Sequence, residues 1–96
     1  MRIEVTRSGG FAGRTLRAAV DTDEVPDGPD LAELARDSGW RDGGTPELPD
    51  PADSPARDAF VWVITVDSRS ARVVDTDLSG PIRDLVERTM AQGGGR

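Results

Sequence analysis

Seven consecutive residues, Phe60-Val61-Trp62-Val63-Ile64-Thr65-Val66, limit this chain's folds more than any other segment. In an extended segment Phe60, Trp62, Ile64 and Val66 share one face, and Val61, Val63 and Thr65 share the other. Apolar residues on both faces suit a strand with neighbours on either side, so the run predicts the centre of a sheet.

The rest of the chain supplies the neighbours. Arg2 to Arg7 alternates, with Ile3 and Val5 on one face and Glu4 and Thr6 on the other. Arg14 to Asp21 repeats the pattern with Leu16, Ala18 and Val20 against Arg17 and Ala19. These two segments predict a hairpin, joined by a connection longer than the two residues that hairpins favour. Asp67-Ser68-Arg69-Ser70 reads as a turn leading from the central strand into a partner over Ala71 to Thr76. Two helices complete the pattern. Pro29 to Asp37 carries Leu31, Leu34 and Ala35 on one stripe and stops at Gly39, after which Trp40 is expected to pack onto the core. From Pro81, preceded by Ser79 or Gly80 as a cap, Ile82, Leu85, Val86, Thr89 and Met90 follow helical spacing. The expected fold is α+β, an antiparallel sheet of about four strands with two helices on one face. It forms a single domain over residues 1–92, interrupted by a Pro-, Asp- and Gly-rich loop at 41–57 and followed by a disordered tail, 93–96.

Composition removes many chemistries. The chain has no His, Cys, Lys or Tyr, so the usual general bases, thiol and amine nucleophiles and tight zinc ligands are missing. The sequence predicts a binding protein, without cofactor or metal of its own. A domain of this size buries roughly 60–65% of its unfolded surface. With 35% hydrophobic and 4% aromatic residues, its core is thin. A net charge of −6 disfavours nucleic acid unless the twelve arginines cluster. No apolar run reaches the ~18 residues of a membrane span. The alternating N-terminus is unlike a signal peptide, and the absence of cysteine fits a reducing compartment, so the expected location is cytoplasmic.

Between the first two strands lies Ser8-Gly9-Gly10-Phe11-Ala12-Gly13. It departs from both glycine-rich phosphate loops. Ser8 stands where the dinucleotide pattern needs glycine, Arg14 where the triphosphate loop needs lysine, and a strand follows where either needs a helix. Phe11 has two readings: a plug folded over the sheet edge, or an anchor exposed on a glycine loop. Leu78 has the same two, as a hydrophobic staple for the last helix or as a second anchor. Asp21, Asp23 and Glu24, and again Asp75 and Asp77, lack the spacing of a calcium loop and read as solvated surface. No spacing calls for paired-carboxylate glycosidase chemistry.

Four segments together carry a family resemblance. Arg2-Ile3-Glu4-Val5-Thr6-Arg7-Ser8-Gly9-Gly10-Phe11-Ala12-Gly13, Val20-Asp21-Thr22, the strand from Asp58-Ala59-Phe60 to Thr65-Val66-Asp67, and Asp77-Leu78 to Leu85-Val86-Glu87-Arg88 resemble the protealysin inhibitor (emfourin) family. The likeness covers everything except the proline-rich loop and the glycine tail. It implies a small acidic protein, not an enzyme, that blocks thermolysin-like zinc metallopeptidases, the metal belonging to the target. Such peptidases prefer a bulky apolar residue just after the cut bond. On this reading the partner-binding residues are Gly9, Gly10, Phe11, Ala12, Asp77 and Leu78, with Phe11 or Leu78 as the apolar anchor and Asp77 able to approach the target's zinc. Two other classes remain beside it: an interaction module or homodimer with an unrelated partner, and an enzyme using Ser, Asp or Glu.

Overall fold

The computed structural model describes residues 1–9, 15–48 and 60–93. The elements are β1 (Arg2–Gly9), β2 (Leu16–Asp21), α1 (Gly28–Ser38), β3 (Phe60–Val66), β4 (Arg69–Val74), a 3₁₀ turn at Asp75–Asp77, and α2 (Gly80–Gly93). The strands form one antiparallel sheet in the order β2-β1-β3-β4, so β3 is internal, as its two apolar faces require. The fold is α+β, with both helices on one face of the sheet.

Register arranges the helix-side face in rows. Val20, Ile3, Val66 and Arg69 form one row; Ala18, Val5, Ile64 and Ala71 form the next; Leu16, Arg7, Trp62 and Val73 form a third. Leu31 and Ala35 of α1 and Ile82, Leu85 and Val86 of α2 join the buried residues of the sheet, Trp62 and Val73 of the third row included, in one core. Each large apolar side chain so buried contributes roughly 1.5–3 kcal/mol against conformational entropy. The opposite face carries cross-strand polar pairs, among them the Glu4–Arg17 ion pair and a 2.8 Å hydrogen bond between the Thr65 and Ser70 hydroxyls.

Local signals explain the element ends. Pro29 lies in the first turn of α1, with Asp30 near its positive end and Arg36 near its negative end. The helix stops at Gly39, whose φ of 125° a side chain rarely adopts. Its N–H bonds the Arg36 carbonyl while that of Trp40 bonds Ala35, the paired closure of a Schellman ending. This turns Trp40 into the core, where it is 1% exposed and its indole N–H donates to the Arg69 carbonyl at 3.1 Å. In α2, Thr89 is buried by bonding its hydroxyl to the Leu85 carbonyl one turn back.

Several boundaries differ from the sequence expectation: β1 runs on to Gly9 rather than ending at Arg7, and β2 starts at Leu16 rather than Arg14. The β3–β4 turn is only Asp67-Ser68, so β4 begins at Arg69. Asp67 holds φ 57° without glycine because its N–H donates to the Arg2 carbonyl and its carboxylate accepts from the Arg2 N–H at 2.9 Å. β4 also ends two residues early, at Val74, because Asp75–Asp77 coils into the 3₁₀ turn. Residues 41–48 have no regular structure, yet Leu48 packs on the core and the Gly44 carbonyl accepts from Arg69. The rest of the proline-rich loop and residues 94–96 lie outside the described residues, whereas Gly93, expected in the tail, ends α2.

Candidate functional site

Antiparallel pairing brings the end of β1, the start of β2, the start of β3 and the end of β4 to one end of the sheet. There stand Gly9 and Thr15, the two residues from which the β1–β2 connection departs. Gly10, Phe11 and Ala12 lie within that connection and outside the described residues. Gly9 is exposed, with φ 94°, a backbone that its missing side chain permits. The Asp75–Asp77 turn continues from Val74, which pairs with Val61 one residue from this end. Gly9 and the Asp75–Asp77 turn, which belong to the two segments named from sequence, thus stand at the same end of the sheet.

The side chains here are less covered than in the rest of the helix-side face. Along the third row exposure rises from Val73 at 0% and Trp62 at 6%, through half-buried Arg7, to Leu16 at 38%. Leu16 is the exposed large hydrophobic residue of the described chain. Phe60, half-buried, follows Trp62 on the same face, opposite Gly9. The Arg7 guanidinium carbon lies 4.1 Å from the centre of the Phe60 ring and 5.8 Å from that of Trp62, within cation–π range of both. Trp62 is fixed in turn, its indole N–H donating to the Asp75 carboxylate at 2.7 Å. The result is a patch of Leu16, Arg7 and Phe60 on a rigid floor.

Asp77 is exposed on the 3₁₀ turn, open to a partner. Leu78 is not. It is 5% exposed and belongs to the main core, with its N–H bonded to the Asp75 carbonyl and its own carbonyl accepting from Arg83. An apolar side chain before α2 gains more by closing the core than by facing water, and Leu78 does so. In the free chain its side chain is therefore not exposed.

Carboxylates marked as solvated surface also have local work. Asp21 accepts the Asp23 N–H at 3.0 Å, and Asp75 holds Trp62. Asp30, Glu33 and Asp37 of α1 face Asp84 and Arg88 of α2 across an open groove. Among the described residues no three acidic side chains form a group able to hold a metal ion.

Sequence reading passed over Arg7 although the signal was present: period two gives it the parity of Ile3 and Val5, so it faces the helix side. No curated protein and no solved structure matches the chain. The Emfourin family model matches residues 5–90.

Proposed function

The chain belongs to the emfourin family of protease inhibitors, and from that premise we propose that it inhibits thermolysin-like zinc metallopeptidases by presenting the loop end of its sheet to the active-site cleft. One observation carries the cleft-directed part. The two anchor points of the Gly-Gly-Phe connection, the exposed Leu16 and the Asp75–Asp77 turn all stand at one end of the sheet.

In this reading Phe11 occupies the pocket that takes a bulky apolar residue after the cut bond, while Gly9, Gly10 and Ala12 let the backbone approach the cleft wall. Asp77, exposed on the turn at this end of the sheet, supplies a carboxylate that can approach the zinc. Cleavage is suppressed when the sheet holds the loop carbonyls out of line with the zinc-bound water. A stable complex of standard size buries about 800 Å² per partner. One loop is too small for that, and the Leu16–Arg7–Phe60 patch enlarges the contact. The inhibitor is not itself an enzyme, and its cysteine-free sequence suits a cytoplasmic location.

The test is a titration of the purified protein into a thermolysin-like peptidase, following hydrolysis of a peptide substrate and the intact mass of the protein. Stoichiometric loss of hydrolysis with the mass unchanged is the expected result. Undiminished hydrolysis, or digestion of the protein, would leave the interaction-module reading in its place.

A further inference from the structure

We infer that Arg7 is a preformed receptor for a carboxylate on the target peptidase, an interaction that rests on the inhibitor reading and specifies the chemistry of its partner surface. The observation is an arginine left without an acid in an acidic chain. Arg2, Arg17 and Arg83 each lie within 4 Å of a glutamate; Arg36, Arg41, Arg72 and Arg88 have no acid among the described residues but are exposed, and half-buried Arg69 bonds the Gly44 carbonyl. Arg7 has no ion pair or hydrogen bond from its guanidinium among the described residues, and its Nε is buried without a partner.

Such a group is costly. A half-buried cation loses part of its hydration, and a buried N–H without an acceptor forfeits a hydrogen bond. The ring faces of Phe60 and Trp62 offset some of that loss and fix the guanidinium plane. Asp75, the acid that closes this end of the sheet, is engaged by Trp62. Among the described residues the fold thus seats an arginine on aromatic rings, pairs no carboxylate with it, and sets it beside exposed Leu16 at the loop end of the sheet. Planar guanidinium groups pair with carboxylates through two parallel hydrogen bonds, and rigid arginines ringed by apolar contacts are frequent hot spots of protein interfaces. A side chain half-buried against two rings has less rotamer freedom to lose on pairing than a fully exposed one.

The experiment measures inhibition of a thermolysin-like peptidase by the parent and by Arg7→Met, Arg7→Gln and Arg7→Lys, each checked by thermal melting. It continues with a double-mutant cycle against Asp→Asn and Glu→Gln variants around the peptidase cleft. Arg7→Met, which keeps the aliphatic stem over the rings, is expected to weaken inhibition by about tenfold or more at an unchanged melting midpoint. Arg7→Lys is expected to fall between it and the parent. One peptidase carboxylate variant should show the same loss with the parent and no further loss with Arg7→Met. Inhibition by Arg7→Met equal to the parent, or strict additivity with every carboxylate variant, would overturn the receptor while leaving the inhibitor reading intact. Should Arg7→Met melt early, the cycle with Arg7→Lys decides between the same outcomes. A parent protein that does not inhibit at all refutes the inhibitor reading itself, and the receptor with it.

Discussion

The Trp62 indole N–H donates a 2.7 Å hydrogen bond to the Asp75 carboxylate, joining the central strand to the first residue of the turn that carries Asp77. Trp62 is 6% exposed, so little water can replace that bond. Asp75→Ala should destabilise the fold by about 1–3 kcal/mol, the cost of leaving a buried donor unsatisfied. Trp62→Phe should lose a similar amount, and the double variant should lose less than the sum, as read by urea denaturation. Additive losses would show that the bond contributes nothing of its own.

Gly28 is a steric requirement. It is buried at the start of α1, and a Cβ built there would collide with the Thr22 carbonyl. Gly28→Ala should therefore destabilise by about 1–3 kcal/mol or more, although alanine favours helix intrinsically. Chemical denaturation measures it; a stabilised variant would mean that the β2–α1 connection yields.

Leu78 should behave as core. Leu78→Ala is expected to cost about 2–5 kcal/mol in denaturation. At temperatures where the variant remains folded, its inhibition should match the parent's. Weaker inhibition by a fully folded variant would restore Leu78 as a contact residue.

Phe11 should behave in the opposite way. If it is the anchor, Phe11→Ala weakens inhibition by roughly ten- to a hundredfold, corresponding to the ~1.5–3 kcal/mol of burying its side chain in a pocket, and leaves the melting midpoint unchanged. A drop in stability of about 3–5 kcal/mol would instead identify it as a plug of the core.

Much of this fold was legible because its signals are local. Period-two alternation marked β1, β2 and β3, and helical spacing marked Ile82, Leu85, Val86 and Thr89 as the buried stripe of α2. The β1–β3 pairing was not legible, because Ile3 meets Val66 across most of the chain and alternation does not name a partner. The two-residue turn at Asp67 escaped notice for want of a glycine, its left-handed backbone being supported by Arg2 from far along the sequence. At the candidate site, sequence named two segments but not the side chains that stand beside them. Leu78 looked the same as staple or anchor until the core closed over it. Arg7 was assigned to neither face, although parity puts it with Ile3 and Val5, and its aromatic seat is assembled by a strand more than fifty residues later.

The central claim is that this protein inhibits with the loop end of its sheet, and hydrogen–deuterium exchange of the protein with and without a catalytically intact thermolysin-like peptidase tests it most directly. The account expects protection on complex formation in peptides covering residues 8–16 and 75–78, with the exposed face of α1, around Glu33 and Asp37, exchanging as in the free protein. Protection confined to α1 and α2 with residues 8–16 unchanged, or no protection anywhere, would contradict it.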